Sequence, residues 1–304
     1  MRYIYNRTER NLRYDGNLRS AIGLATGRYC FLLGNDDALA SVTVLEELRD
    51  AMLRLGPPGV VITNYEDQAT GSVARRVKHS RVVGSGPRVA ADCFRNFGFV
   101  SGVIFEASAA RKFASNAWDG SEYYQMFLGC RIIASGRPLV EVDLVTVRKD
   151  IQIADESVDS YKLKSIANPD RIVERPTNLV KIGPLVVDSI RPFLSEEALA
   201  KIAPRIFVQI LVFTYGFWIF EFRRVHSWKY AAGFCLAMRP RRILADESVG
   251  FPQRVFLEFV HGIMSIAGLL APLIWFERLY PSLHRLAKSA LRVPRRSAVA
   301  RVGS

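Results

Sequence analysis

The first half of the chain alternates short apolar runs with stretches of helical periodicity, and this alternation constrains the fold most strongly. Strands are predicted for four short, continuous apolar runs, at 29–33, 60–63, 97–105 and 139–147. Helices are predicted between these runs, at 17–26, 42–55, 108–115 and 122–134. Strands that alternate with helices indicate an α/β domain with a mostly parallel sheet.

Smaller signals complete this half of the sequence. Tyr3–Tyr5 is a brief strand-like start, and Ser41 is suited to cap the helix at 42–55. The polar, basic stretch at 68–88 has little apolar periodicity and is predicted to be a surface excursion.

Beyond about residue 150 the pattern becomes that of a mainly helical region, so the domains are predicted at 1–150 and 151–304. A polar stretch at 151–176 precedes two runs without formal charge, fifteen residues at 206–220 and eighteen at 259–276. Six Lys or Arg and no acid lie between Arg223 and Ala245, in the connection between the runs.

A transmembrane pair would place that basic connection outside, against the positive-inside tendency, if the first half is cytosolic. Two interpretations remain open. The runs either lie in the cytoplasmic face of a membrane, where each basic residue contributes about 1 kcal/mol, or form a buried helical core.

The formal net charge of +13 implies an anionic partner. A diphosphate ligand and an anionic membrane fit this charge. Nucleic acid is not expected, because no basic helix, aromatic platform or zinc spacing matches a known module. The four scattered cysteines suit reduced thiols in a cytosolic protein, and the charged first twenty residues do not resemble a signal peptide.

The apolar run at 29–33 ends abruptly in Gly34, Asn35, Asp36 and Asp37. Two adjacent carboxylates repel each other and need solvent, a hydrogen-bond donor or a cation. The pair either marks the exit of a strand into water, which is common for Asn- and Asp-rich turns, or binds a ligand.

Several short motifs around this stretch form one pattern, namely Asn11-Leu12, Gly16-Asn17, Ala21, Ala25-Thr26-Gly27-Arg28-Tyr29 and Phe31-Leu32 through Asp36-Asp37. The pattern resembles the middle of the family 2 glycosyltransferases, which adopt the GT-A fold. The segment YCFLLGNDD is especially similar to abequosyltransferase-like members that build bacterial surface polysaccharides such as O-antigen. Phe99–Phe105 also resembles the acceptor-side strand of that subgroup.

The resemblance implies a Rossmann-like sheet, a nucleotide-sugar donor and a lipid-linked or polysaccharide acceptor at the cytoplasmic face of the bacterial inner membrane. It implies that Asp37, assisted by Asp36, holds Mn²⁺ or Mg²⁺ against the donor diphosphate. Asn11, Asn17 and Asn35 are implied to join the two acids in donor binding.

A family 2 enzyme also needs a carboxylate base for the acceptor hydroxyl, near the start of a late helix. Glu122 and Asp119 are the two catalytic residues predicted here. Asp119 could equally cap the Asp-Gly turn. Trp118 and Tyr123 could stack on a sugar ring or be core residues.

The family's first two strands, which bind the nucleotide, normally precede the segment that corresponds to Tyr3. We expect a sheet that lacks two strands. The explanations are a late start of the sequence, a gene remnant, or a second chain that supplies the missing part. The alternative hypothesis is therefore an inactive, truncated glycosyltransferase fragment that acts as a membrane-associated binding protein.

Overall fold

The computed structural model describes residues 4–151, 178–244, 249–275 and 278, which form a mixed α/β fold. The strands are β1 Tyr29–Phe31, β2 Ala38–Leu39, β3 Val60–Asp67, β4 Val73–Ala74, β5 Arg81–Gly84, β6 Val103–Glu106 and β7 Leu139–Lys149. The helices before residue 150 are α1 Arg13–Leu24, α2 Val44–Leu55, α3 Pro87–Cys93, α4 Ala107–Lys112 and α5 Tyr124–Ala134. The later helices are α6 Ile182–Ile190, α7 Glu196–Gln209, α8 Gly216–Val225, α9 Trp228–Ala237, α10 Pro240–Ile243 and α11 Phe251–Leu270.

The sheet has the strand order β1-β6-β3-β7-β2, with β4 added to β3 and β5 added to β7. Only the β3–β7 pairing is parallel among the described strands, and the other five pairings are antiparallel. The prediction of a mostly parallel sheet is therefore wrong. Apolar runs report that a strand is buried, but they carry no information on its direction, and β6 runs opposite to both of its neighbours.

Helices cover both faces of the central strands, which explains why β3 and β6 are continuous apolar runs. Val60 and Ile62 face the larger core, which contains residues of α1, α3 and α5. Val61 faces the smaller core beneath α2, which includes Leu48 and Val140. The ends of these covered strands therefore determine which residues reach solvent as a possible site.

The helices and strands predicted between residues 17 and 147 are found with shifted ends, but the described part of the strand-like start at Tyr3–Tyr5 is not. The helix predicted at 17–26 begins at Arg13, and α2 is preceded by Thr43 at its N-cap position rather than by Ser41. The run predicted as a strand at 97–105 starts with a 3-10 turn, Phe94–Phe97, and β6 begins at Val103. Ile4 and Tyr5 form no strand, and Tyr3 lies outside the described residues.

The surface excursion predicted at 68–88 is wrong in part. It contributes β4 and β5 to the sheet, and its Val77 is fully buried. The basic, polar composition of the segment does not indicate strands, because its buried residues are isolated between exposed ones.

Every regular element described after residue 177 is a helix. Among them α6 packs on α3 and α5 and α7 packs on α3, and one hydrophobic core continues through the helical region. Arg205 forms an ion pair with Asp92 of α3 at 2.6 Å, and Gln209 Nε2 donates to the Ala91 carbonyl at 3.0 Å. The polar stretch 152–176, next to the predicted domain boundary, lies outside the described residues.

Two described helical segments are long and apolar enough to cross a membrane by length and composition, Glu196–Arg224 and Phe251–Leu270. The first contains the run 206–220, and its Ile206, Leu211, Tyr215 and Ile219 are fully buried. This burial favours the core interpretation for the first run. The second segment is α11, and most of its apolar side chains are exposed.

Candidate functional site

The acidic turn after β1 is fixed by contacts from two other parts of the sheet. Because β6 pairs with β1, the loop before β6 lies against the turn, and the Gly34 N–H donates to Ser101 Oγ at 2.8 Å. The Ser101 hydroxyl in turn donates to Asp37 Oδ2. From the end of β7, the Asp150 N–H donates to Asp37 Oδ1 at 3.1 Å. Both oxygens of Asp37 are therefore held in place.

The electrostatics of the turn favour a cation. Burial raises the pKa of Asp37 above its ordinary value, and the repulsion from Asp36 acts in the same direction. The hydrogen bonds from Ser101 and from the Asp150 N–H offset this in part. A bound divalent ion would stabilise the ionised form, because an opposite charge within a few ångströms lowers the pKa of a carboxyl group.

Gly34 lets the side chains of the turn pack closely against the backbone. A Cβ atom on Gly34 would lie 2.8 Å from Asp37 Oδ2, 3.0 Å from Asp36 Oδ1 and 3.3 Å from Ser101 Oγ. Oxygens of two carboxylates and a hydroxyl thus lie around Gly34, closer than a side chain at this position would allow. We call these residues (Gly34, Asp36, Asp37 and Ser101) the acid cradle. Hard oxygen ligands of this kind suit Mg²⁺ or Mn²⁺.

The acid cradle supplies only part of a coordination shell. No group of three or more His, Cys, Asp or Glu side chains that could hold a metal occurs in the part of the chain that the structure describes. Asp150 does not complete the set, because its Oδ2 pairs with Lys149 Nζ at 2.8 Å. This fits Mg²⁺ chemistry, in which one or two carboxylates combine with substrate phosphates and water.

Arg76 fixes the loop that carries Ser101. Its guanidinium donates at 2.8–3.3 Å to four backbone carbonyls, those of Thr63, Asn96, Phe99 and Ser101. It also stacks over the rings of Tyr65 and Phe99, and burial lowers its pKa to about 10. One side chain thereby fixes the loop that presents Ser101 to Asp37.

Lys149 pairs with Asp150, the residue whose N–H donates to Asp37. Its Nζ lies 2.8 Å from Asp67 Oδ2 and 2.8 Å from Asp150 Oδ2. The hydrogen bond from Lys149 is the largest cause that lowers the pKa of Asp67 to about 2. Asp150 adopts a left-handed backbone conformation, with φ of 57°, and in this conformation its N–H points to Asp37.

The predicted catalytic residues lie at the start of α5, in a loop that α1 holds. Asp15 of α1 is buried, and its carboxylate accepts from the backbone N–H groups of Gly120, Glu122 and Tyr124, at 2.8, 2.9 and 3.1 Å. Glu122 is half-buried and left-handed, with φ of 65°. The three hydrogen bonds stabilise a conformation that is unfavourable for a residue with a side chain.

Asp119, the other predicted base, is held by Arg19. The two side chains form a bidentate ion pair, at 2.5 and 2.7 Å. The hydrogen bond from Arg19 lowers the pKa of Asp119. A carboxylate whose two oxygens are held by a guanidinium is a weak base, so this geometry favours Glu122 for proton transfer.

Trp118 and Tyr123 both pack against the main core. Trp118 Nε1 donates to Asp188 Oδ2 at 2.8 Å, and burial raises the pKa of Tyr123 to about 12. These contacts favour the core interpretation over sugar stacking for both rings.

Gln125 connects the loop that carries Asp119 and Glu122 with the loop that carries Ser101. Its Oε1 accepts from Tyr14 Oη of α1 at 2.9 Å, and its Nε2 donates to the Phe97 carbonyl at 3.0 Å. Phe97 ends the 3-10 turn that leads into the Ser101 loop. Gln125 therefore connects the loop that carries Asp119 and Glu122 with the segment that leads to the acid cradle.

The predicted donor-binding asparagines are separated by the fold. Asn11 Oδ1 accepts from the Arg13 N–H at 2.8 Å and so helps to start α1. Asn17 lines a pocket of about 650 Å³ between α1 and residues 4–8. Asn35 is exposed beside the acid pair. Neither Asp36 nor Asp37 lines the pocket, so the structure does not bring the three asparagines into one contact set.

Comparisons with known proteins identify no relative, since no protein-family model, curated protein or solved structure matches the chain. The site is therefore defined by its own chemistry, as an exposed and a half-buried carboxylate with the hydroxyl of Ser101 beside them. Sequence reasoning missed Ser101, Arg76 and Asp15. The only available signal was for Ser101, which lies with Gly102 just before an apolar strand.

Proposed function

We propose that the chain is a family 2 glycosyltransferase that moves a hexosyl or deoxyhexosyl group from a nucleotide-sugar to a lipid-linked or polysaccharide acceptor. The acid cradle is the observation that carries this proposal. It combines an exposed carboxylate, a half-buried carboxylate whose pKa is raised, and a hydroxyl, and their oxygens lie together around Gly34. The resemblance of YCFLLGNDD to this family agrees with such a site, and a GT-A-like arrangement of the domain is part of the proposal.

In the proposed reaction, Asp37 and Asp36 hold a divalent cation, which would neutralise the departing diphosphate. Ser101 and the Asp150 N–H keep the Asp37 carboxylate oriented towards the cradle. The acceptor hydroxyl oxygen attacks the anomeric carbon from the face opposite the diphosphate. The bond from carbon to the diphosphate oxygen breaks, and the configuration inverts.

Glu122 is proposed to take the proton of the acceptor hydroxyl. It lies two residues before α5, next to the N-cap residue Tyr123. Asp119 is proposed to position this loop through Arg19 rather than to exchange protons. The reaction is proposed to take place at the cytoplasmic face of a bacterial inner membrane, where a lipid-linked acceptor is presented, in the synthesis of a surface polysaccharide such as O-antigen.

A second function remains a proposal, that of a catalytically inactive, membrane-associated binding protein. The position of β1 favours it. Among the described strands β1 forms one edge of the sheet and pairs only with β6, whereas the resemblance implies two further strands that contact the nucleotide. The two functions differ in a measurable way, because only the enzyme needs a complete donor site.

Calorimetric titration of nucleoside diphosphates, with and without Mn²⁺, tests the proposal. We expect manganese-dependent binding by the wild-type chain, loss of that binding in Asp37→Ala, and no change in Asp50→Ala, which removes an exposed acid of α2. Binding that is detected must be followed by a transfer assay with Glu122→Gln. If no nucleoside diphosphate shows manganese-dependent binding, the proposed transferase activity is contradicted and the second function, an inactive binding protein, is favoured.

A further inference from the structure

The outer face of α11 is apolar along the whole helix. Exposed side chains recur every three or four residues and form one stripe, which we call the α11 stripe: Phe251, Val255, Phe259, Ile263, Ile266 and Leu270. Each of them is at least half exposed, and Phe251 reaches 80%. The stripe offers on the order of 600 Å² of apolar surface, which is at the upper end of what a monomer leaves exposed.

The charged residues of α11 avoid the stripe. Arg254 and Glu258 are both half-buried. Arg254 Nε donates to the Val249 carbonyl at 2.8 Å, and Glu258 Oε1 accepts from the Arg241 N–H at 3.1 Å. Gln253 is the one polar residue among the exposed positions of α11. A face with this composition is unsuited to water, and its partner must be apolar over about 30 Å, the length of twenty residues.

Basic residues lie beside the stripe and favour an anionic partner. Arg241 and Arg242 are exposed on α10, which packs against α11. The sequence beyond α11 is also basic, with seven Lys or Arg and no Asp or Glu from 278 to 304. Trp228 and Trp275 are both more than half exposed, and Trp228 Nε1 donates to the Leu269 carbonyl at 3.1 Å near the end of α11. Tryptophan with arginine at the rim of an apolar face is typical of a membrane interface.

The inner face of α11 determines how the helix meets the membrane. It packs on α7, α8, α9 and α10. His261 Nε2 lies 3.1 Å from Tyr215 Oη and 3.0 Å from the Cys235 carbonyl oxygen, and Tyr215 Oη lies 2.6 Å from Ser265 Oγ. A transmembrane orientation would separate these buried polar groups and leave them unpaired in hydrocarbon. An orientation in the plane of the bilayer keeps every one of them.

We infer that α11 is an in-plane membrane helix, which places the α11 stripe in the acyl-chain boundary of an anionic bilayer and Arg241 and Arg242 against lipid phosphates. The inference adds a specific surface and a lipid class to the proposed membrane location. It does not depend on sugar transfer, since vesicle binding requires neither a donor nor the acid cradle.

Sedimentation of the full chain with vesicles tests the inference. Neutral phosphatidylcholine vesicles are compared with vesicles that contain 30% phosphatidylglycerol. We expect the wild-type chain to prefer the anionic vesicles at least tenfold, and Phe259→Asp/Ile263→Asp to lose about tenfold or more in binding. Arg241→Gln and Arg242→Gln should each weaken binding about fivefold.

Two controls separate this result from unfolding and from catalysis. Leu53→Asp changes an equally exposed leucine of α2 and should bind vesicles like the wild type. Asp37→Ala should do the same, whatever its effect on nucleotides. Unchanged binding of Phe259→Asp/Ile263→Asp would overturn the inference, as would a wild-type chain that ignores anionic vesicles. A lipid-free dimer that this double substitution dissociates, seen by light scattering, would assign the stripe to a second copy instead.

Discussion

Asp15 is expected to stabilise the chain more than any surface acid, because one buried carboxylate holds three backbone N–H groups. Replacement by alanine removes the acceptors of the Gly120, Glu122 and Tyr124 N–H groups. Tyr124 is buried, so its N–H would lose a partner that water cannot replace, at a cost of about 1–3 kcal/mol. The other two residues are half-buried, and each adds about 1 kcal/mol. We expect Asp15→Ala to lower the free energy of unfolding by about 3–5 kcal/mol.

Asp15→Asn provides a milder version of the same change. The amide oxygen can still accept from the Gly120 and Glu122 N–H groups, but the amide nitrogen then faces the Tyr124 N–H. The expected loss is about 1–3 kcal/mol. This variant is needed because a typical domain has only about 5–15 kcal/mol of stability, so the alanine variant could be too unstable to purify.

Urea unfolding followed by circular dichroism measures both variants, with the slope of the transition as a check that the same surface is exposed. Asp50→Ala is the matched control. Its carboxylate pairs with Arg49 on the surface, and we expect a change within about 0.5 kcal/mol. A loss below 1 kcal/mol for Asp15→Ala would refute the reasoning, since it would show that water satisfies all three N–H groups.

Three further predictions concern the acid cradle and the loop that carries Asp119 and Glu122. Gly34→Ala places a Cβ 2.8 Å from Asp37 Oδ2, and calorimetry should show that manganese-dependent nucleotide binding is lost. Glu122→Gln should lower turnover about 100-fold or more in a transfer assay, whereas Asp119→Asn should mainly lower the melting temperature. Because burial raises the pKa of Asp37 above its ordinary 3.8, the ionisation of Asp37 should lower the stability of the metal-free chain as the pH rises through this raised pKa, and in urea titrations Asp37→Asn should remove this contribution to the pH dependence.

Each of these predictions has a result that would contradict it. Normal manganese-dependent binding by Gly34→Ala would mean that the cradle is not the ion site. Equal turnover of Glu122→Gln and the wild type would return the role of base to Asp119 or to another group. A metal-free stability that rises with pH, and that Asp37→Asn leaves unchanged, would show that Asp37 carries no burial penalty.

The sequence predicts the positions of β1, β3 and β7 well because burial leaves a direct trace in composition. The run 60–63 is recognised as a strand since Val60, Val61 and Ile62 are fully buried on both faces of the sheet. The direction of β6 leaves no such trace. It depends on which segment fills the space between β1 and β3, and that is decided by pairing between residues more than forty positions apart.

The candidate site is predictable only in its most local part. Asp36 and Asp37 are adjacent in sequence and end an apolar run, so their proximity and the exposure of Asp36 follow directly, whereas the half-burial of Asp37 does not. Ser101 and Arg76 lie near this pair only because strands that are distant in sequence pair in the sheet. Arg76 in particular lies in a basic stretch that composition assigns to the surface, although four carbonyl groups surround its guanidinium.

The contacts of Asp37 and Asp15 distinguish a ligand site from a structural carboxylate. Both acids are withdrawn from solvent, and both accept backbone N–H groups. Asp15 receives three such bonds. Asp37 receives one backbone bond and one hydroxyl bond, and it has Asp36 beside it. A half-buried acid with a raised pKa beside a second carboxylate is more typical of a functional site than of a structural carboxylate, and the proposed cation would compensate the charge of this pair.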